Sequence, residues 1–84
     1  MNGLYTKKNL LEALRSASEQ YPKLKIGHSY MTLMKYEKNG IVEPAGHLLA
    51  VNDRNWRFYS AEEIKANVER VIAYKKEQLL KRKP

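Results

Sequence analysis

Four polar side chains recur at helical spacing between Ser29 and Ile41. They follow the i, i+3, i+4, i+7 pattern that brings residues to one face of a helix, namely Thr32, Lys35, Tyr36 and Asn39. This face carries a hydroxyl, an ammonium group, a phenol and an amide, and no acid. Such a face can bind base edges and phosphates in the major groove of DNA. A solvated face of any small domain has the same composition, so this segment alone favours neither interpretation.

Both ends of this helix carry sequence signals. The Ser29 hydroxyl can accept a hydrogen bond from a free N–H of the first turn, and Gly40 can adopt the left-handed conformation that ends a helix. Tyr30, Leu33 and Met34 fall on a separate, apolar side. The segment therefore predicts a short helix with one apolar face and one cationic, hydrogen-bonding face.

Composition limits the kinds of site. The length of 84 residues predicts a single domain over residues 1–84. Because there is no cysteine, disulfides, thiolate metal sites and a cysteine nucleophile are excluded. His28 and His47 lack metal-ligand spacing, and no nucleophile–base–acid set or glycine-rich phosphate loop is visible. We therefore expect no enzyme activity, no catalytic residues, no cofactor and no metal.

The charge indicates anionic partners. The chain has 16 Lys and Arg against 9 Asp and Glu, a net charge of +7, which attracts phosphate polyanions such as DNA, RNA or anionic lipid. The interleaved aromatics and glycines of the common RNA-binding modules are missing. The first thirty residues contain no long apolar run, so we expect no secretory signal, no membrane span and a cytoplasmic location.

The first predicted helix begins after Thr6, which can cap it, and ends before Pro22. Its apolar residues recur at helical spacing: Leu10, Leu11, Leu14 and Ala17. Lys7 and Lys8 lie in the first turn, where the helix dipole disfavours cations. An approaching phosphate would suit them, and two solvated lysines are the alternative. Residues 21–28 alternate apolar and lysine side chains, which predicts an extended connection longer than the usual helix-turn-helix turn.

A β-hairpin is predicted next. Residues 47–51 and 56–59 are rich in strand formers, and residues 52–55 are turn formers. We expect Arg54 and Asn55 at the basic tip of the hairpin. A basic hairpin beside a helix-turn-helix is typical of the wing of a winged helix, which contacts the sugar-phosphate backbone or the minor groove.

A third helix, with its basic tail, is expected over residues 61–82. Ser60 and Glu63 form a capping-box signal at its start. An apolar stripe follows: Ile64, Val68, Val71 and Ile72. The far end, with Leu79 and Leu80, extends beyond what so small a core can cover. A homodimer through this helix would cover it, and fraying of the helix end is the alternative.

Three stretches together resemble the DNA-binding domain of the MerR family and its relatives, which include excisionase-type winged helices. They are Tyr5-Thr6, residues 32–44 (TLMKYEKNGIVEP) and residues 57–64 (RFYSAEEI). The resemblance implies a mainly α fold with a small β-hairpin. This fold is a winged helix-turn-helix, made of a helix, a turn, a recognition helix, a two-stranded wing and a C-terminal helix.

By position, the resemblance assigns residues 29–39 to the recognition helix, and Tyr36 and Arg57 to places that hold backbone phosphates. The family arginine before the tyrosine pair is Met34 here, and the first tyrosine is Lys35, so we expect Lys35 to replace one phosphate contact. Full-length regulators of this family continue into a long dimerisation helix and an effector-sensing domain. We expect no effector-responsive regulator from these 84 residues.

The sequence therefore predicts binding to double-stranded DNA, by a small transcription regulator or a phage- or plasmid-type architectural factor. The expected DNA-binding residues are Ser29, Thr32, Lys35, Tyr36, Lys38, Asn39, Arg54, Asn55 and Arg57. A protein-interaction module on the same scaffold is the alternative. Its anchor candidates are Trp56, Tyr74, Leu79 and Leu80. Basic residues gathered on one surface would favour DNA, and scattered ones would favour a protein partner.

Overall fold

The described part of the chain folds into three α-helices, one 3-10 turn and two short strands. The structure is a computed structural model that describes residues 4–51 and 54–81. The elements in chain order are α1 (Lys7–Gln20), a single 3-10 turn (Pro22–Leu24), α2 (Tyr30–Lys38), β1 (His47–Val51), β2 (Arg54–Phe58) and α3 (Ala61–Lys81). The fold is therefore mainly helical, as the sequence predicted.

Helix α1 begins and packs as expected. The Thr6 hydroxyl accepts from the Asn9 N–H at 3.4 Å, and the Asn9 side-chain oxygen accepts from the Thr6 N–H at 2.9 Å. This reciprocal cap satisfies two N–H groups that the helix itself leaves unpaired. The four predicted apolar residues are buried: Leu10, Leu11, Leu14 and Ala17. The predicted start of α1 and its core-facing side are confirmed.

The connection between α1 and α2 differs from the extended segment that we expected. Pro22 opens a 3-10 turn, because its fixed φ suits the first position of a helical turn. Lys25 then takes a left-handed conformation with φ of +52°, which reverses the chain. As a result Ile26 enters the core with only 3% of its surface exposed. The alternating pattern correctly indicated the burial of Ile26 but not the backbone conformation.

Helix α2 has the predicted ends. The Ser29 hydroxyl accepts from the Thr32 N–H at 3.2 Å, and Gly40 follows the helix with φ of +73°. Its predicted apolar side is only partly buried. Leu33 lies in the core with 2% exposure, whereas Tyr30 and Met34 are 57% and 65% exposed.

Tyr36 is buried, which contradicts its predicted place on the exposed polar face of α2. Its exposure is 5%, and its hydroxyl accepts from the Gly27 N–H at 3.3 Å. Its carbonyl accepts from the Ile41 N–H at 2.9 Å and from the Val42 N–H at 3.3 Å. Tyr36 therefore holds both the segment before α2 and the segment after it, and it does not belong to the outer surface.

Strands β1 and β2 pair antiparallel, from His47 opposite Phe58 to Val51 opposite Arg54. The backbone of Arg54 and Asn55 thus lies in β2, and their predicted place in the turn is wrong. The reason is the register, which leaves only residues 52–53 between the strands, outside the described part of the chain.

The base of the strand pair is tied to the start of the chain. The Tyr5 N–H donates to the Tyr59 carbonyl at 2.8 Å, and the Tyr59 N–H donates to the Tyr5 carbonyl at 2.7 Å. The Tyr59 side chain is fully buried. This bridge fixes the strand pair next to the first turn of α1.

Helix α3 closes the core. The Ser60 hydroxyl and the Glu63 carboxylate form the predicted capping box, with N···O distances of 3.1 and 2.9 Å. Val71 is fully buried, and the other three residues of the predicted stripe pack against the core: Ile64, Val68 and Ile72. At its far end Leu79 and Leu80 are 40% and 69% exposed, as the apolar pattern indicated.

Asn67 was not predicted to face the core, yet it is the one polar residue among the buried residues of the described chain, with 3% exposure. Its side-chain oxygen accepts from the Glu43 N–H at 3.1 Å, and its side-chain nitrogen donates to the Glu43 carbonyl at 3.3 Å. The amide therefore clamps the segment between α2 and β1 to helix α3.

Candidate functional site

The side of α2 that points away from the core is basic and contains no acid. Because successive residues of a helix turn by about 100°, the direction opposite to Leu33 and Tyr36 is occupied by four exposed side chains, which we call the outer face. They are Met31, Met34, Lys35 and Lys38. Met31 is 72% exposed. The outer face thus offers two thioethers and two ammonium groups.

A concave surface flanks the outer face on the side of the 3-10 turn and α3. We call it the lysine cleft, because three lysines from three parts of the chain line it: Lys25, Lys35 and Lys75. Thr32 and Asn39 of α2 also line it, and its volume is about 330 Å³. No acid lines this cleft in the described part of the chain, so it attracts anions.

A second cleft flanks the other side of α2, towards α1 and β2. We call it the aromatic cleft. It has a volume of about 530 Å³, and its lining includes three aromatic and three cationic side chains: Tyr30, Trp56, Phe58, Lys7, Lys8 and Arg57. Glu37 also lines it, with one carboxylate oxygen 3.8 Å from the Lys7 ammonium. This pair offsets the one acid that lines the cleft among the described residues.

The predicted DNA-binding residues are distributed over these three surfaces around α2 and do not gather on one, the distribution that we expected of a protein partner rather than of DNA. Lys35 and Lys38 are on the outer face, Thr32 and Asn39 line the lysine cleft, and Arg57 lines the aromatic cleft.

Ser29 is exposed at the start of α2, but its hydroxyl already caps the helix and lies 2.9 Å from the Thr32 hydroxyl. Tyr36 is buried and also contributes to the lining of the lysine cleft. The side chains of Arg54 and Asn55 lie outside the described part of the structure.

Two cations that line the lysine cleft, Lys25 and Lys75, were not among the predicted site residues. Lys25 was predicted in an extended linker. Its backbone is left-handed, which no local pattern indicates, and its side chain lines the same cleft as Lys35. Lys75 belongs to α3, which packs against the 3-10 turn, and it also lines the lysine cleft. Lys7 and Lys8, which the helix-dipole argument singled out, both line the aromatic cleft.

The phenols behind the site stay neutral. Burial raises the pKa of Tyr36, an effect that the Gly27 N–H opposes. The pKa of Tyr59 is raised to about 12 by burial of its hydroxyl and then by the negative charges of Glu37 and Glu63. Neither phenol therefore adds negative charge beside the cationic surfaces at neutral pH.

Comparisons with known proteins find no match. The sequence matches no protein-family model, no curated protein and no solved structure. Within residues 4–51 and 54–81, no group of three or more His, Cys, Asp or Glu side chains is placed to hold a metal ion. None of the described helices has the length and apolar character needed to cross a bilayer.

Proposed function

We propose that this protein binds double-stranded DNA as a MerR-like winged helix, with α2 as the recognition helix and the β1–β2 pair as the wing. The observation that carries the proposal is the acid-free outer face of α2, which has a basic cleft on each side. A protein of this kind acts as a small transcription regulator or as an architectural factor of the phage or plasmid type.

The dimensions of α2 fit this role. An α-helix with its side chains is about 10–12 Å across, and the major groove of B-DNA is about 12 Å wide, so the nine residues of α2 can lie in the groove. Lys35 and Lys38 then face base edges or adjacent phosphates. Met31 and Met34 present apolar groups of the kind that contact the thymine methyl.

The two clefts supply contacts to the backbone on either side of the groove. Lys25 and Lys75 lie on one side of α2, and Lys8 and Arg57 lie on the other. Contacts of this type position the protein without reading sequence. If about five cations each neutralise one phosphate, the slope of log affinity against log salt is about −4.5.

Selection of bound sequences from random duplex DNA tests the proposal, followed by titration of the winning duplex at several salt concentrations. We expect Lys35→Ala to weaken binding about tenfold and to reduce the magnitude of the salt slope by about one. Lys65→Ala is the matched control, because Lys65 is exposed on α3 and lines neither cleft. Equal, small losses for the two variants would contradict the assignment of α2.

Dimerisation belongs to the same proposal. Two half-sites need a dimer, and the exposed Leu79 and Leu80 at the end of α3 are the proposed contact. Sedimentation of the wild-type protein and of Leu80→Lys, with and without the selected duplex, tests this contact. A dimer that persists in Leu80→Lys would place the interface elsewhere.

A second candidate function is a protein-interaction module, which is favoured by exposed apolar side chains and by the distribution of the basic residues over more than one surface. Trp56 is 52% exposed and Leu80 is 69% exposed, and aromatic residues dominate protein interfaces. Tyr74, another predicted anchor, is only partly accessible and accepts a hydrogen bond from Gln78. Selection without enrichment over non-specific duplex binding would favour this second function.

A further inference from the structure

We propose that the aromatic cleft binds one unpaired nucleotide of a DNA strand, with the base stacked on Trp56 and the phosphate held by Lys7, Lys8 and Arg57. This inference rests on the proposed DNA binding and adds a preference for duplexes that carry an unpaired end or an unstacked base. It concerns a surface separate from the outer face of α2.

The walls of the aromatic cleft suit a flat aromatic ligand. Tyr30 belongs to α2 and Trp56 to β2, so two separate elements supply aromatic rings to one cleft. Both rings are about half exposed, at 57% and 52%, so part of each ring is accessible to a ligand in the cleft. Phe58 lies deeper and is half-buried. Exposed rings facing one cavity can stack with any base, because every base has a π face.

The rim of the aromatic cleft suits a phosphate. Lys7 and Lys8 are the first two residues of α1, and the first turn of this helix contains no acid. The positive end of the helix dipole is therefore reinforced by two ammonium groups. Arg57, which belongs to β2, adds a guanidinium group to the lining of the cleft. The one acid, Glu37, already lies beside the Lys7 ammonium, so the net charge of the lining stays positive.

The size of the cleft agrees with a nucleotide. A volume of about 530 Å³ lies within the range of roughly 300–1,000 Å³ of sites for small organic ligands. A base pair inside a duplex exposes only its edges, so a stacked base in this cleft has to leave its pair. Aromatic rings interleaved with cations are typical of sites for single-stranded nucleic acid. The chemistry thus selects an unpaired nucleotide over duplex backbone alone.

The test uses the single tryptophan of the chain as its own reporter. The unmodified protein is titrated with a blunt duplex and with the same duplex carrying a four-nucleotide single-stranded extension. Separate titrations use a free deoxynucleoside monophosphate, inorganic phosphate, and a copolymer of glutamate and tyrosine as a protein probe. We expect the extended duplex to bind about tenfold more tightly than the blunt one and to quench Trp56 fluorescence. The blunt duplex is expected to bind with little quenching.

Variants provide a readout that does not need the tryptophan. Anisotropy of labelled DNA is measured for Trp56→Ala, which we expect to remove the advantage of the extended duplex over the blunt one. Leu48→Ala is the matched control, because Leu48 is a 64% exposed apolar residue of β1 that does not line the cleft. The control is expected to keep the full advantage, and circular dichroism verifies the fold of both variants.

Several outcomes would overturn the inference. Quenching by the monophosphate with no advantage for the extended duplex would assign the cleft to a free nucleotide. Equal competition by inorganic phosphate would reduce it to an anion site. Quenching by a copolymer of glutamate and tyrosine, and by no nucleotide, would assign it to a protein partner. Equal binding of both duplexes, still weakened by Lys35→Ala, would remove this inference alone, whereas failure of both duplexes to bind would remove the proposed function as well.

Discussion

Replacing Asn67 by alanine is expected to destabilise the fold through one backbone segment. In the native chain the Asn67 amide makes two hydrogen bonds to the backbone of Glu43, at 3.1 and 3.3 Å. Alanine removes both partners and leaves the Glu43 N–H and carbonyl without them. The change leaves the outer face of α2 and both clefts chemically intact.

The magnitude follows from the cost of unpaired polar groups. Each buried donor or acceptor that loses its partner costs about 1–3 kcal/mol. Because the remainder of Glu43 is exposed, water recovers part of this cost, and we expect Asn67→Ala to lower the free energy of unfolding by about 2–3 kcal/mol. A domain of this length has a total stability of roughly 4–13 kcal/mol. The expected fall in Tm is about 10–20 °C.

Urea denaturation followed by circular dichroism measures the effect. Asn67→Asp should lose at least as much as alanine, because at this buried position its carboxylate sets a charged oxygen against the Glu43 carbonyl to which the amide nitrogen donated. Lys65→Ala, an exposed substitution on the same helix, is expected to change the free energy of unfolding by less than about 0.5 kcal/mol. If Asn67→Ala is as stable as Lys65→Ala, the clamp contributes nothing and the reasoning is refuted.

Three further substitutions test other parts of the fold. Tyr36→Phe should cost about 0.5–1.5 kcal/mol of stability in urea denaturation, by loss of the bond to Gly27; unchanged stability would mean that this bond contributes nothing. Gly40→Ala should lower the free energy of unfolding by about 1–2 kcal/mol in urea denaturation. The reason is the positive φ of +73°, since the space around an added Cβ is open; an unchanged free energy of unfolding would mean that the turn adapts. The pKa of Tyr59 is about 12 in the folded protein, whereas an unfolded tyrosine has a pKa near 10. The stability that the protonated Tyr59 contributes should therefore be fully present below pH 10 and fall as the pH rises towards 12. Tyr59→Phe should flatten that fall, and an unchanged pH profile would argue against the raised pKa.

Local signals allowed the sequence to predict the helices. Thr6, Ser29 and Ser60 each cap a helix through contacts within three residues, so the short-range pattern contains all the information that the cap requires. Gly40 ends α2 for an equally local reason, because only glycine adopts its φ without strain. These positions fix the bounds of the helices without any knowledge of the tertiary structure.

The predictions were wrong at positions where contacts between residues distant in sequence determine the structure. Tyr36 lies on a polar stripe by spacing, but its hydroxyl accepts from Gly27, nine residues earlier, and its ring fills the core. Lys25 adopts a left-handed φ without being glycine, asparagine or aspartate, so composition gives no sign of it. Arg54 joins β2 because of the register with Val51. Each outcome depends on packing between elements, which a local pattern does not contain.

The two cleft surfaces were the least predictable part of the candidate site. Lys35 and Arg57 were singled out from the sequence, yet they line different clefts on opposite sides of α2. Lys75 joins Lys35 only because the end of α3 packs beside the 3-10 turn. Helical spacing predicts which residues of one helix share a face. It does not predict that lysines from a turn and from another helix will line a cleft beside that face.

The double attachment of Tyr36 has a thermodynamic consequence. One residue holds the loop before α2 through its hydroxyl and the loop after α2 through its carbonyl, so the helix is rigidly presented before any ligand arrives. A preorganised surface loses little conformational entropy on association. Calorimetry of the wild-type protein should therefore show a heat-capacity change accounted for by the buried interface alone, without the larger signature of coupled folding.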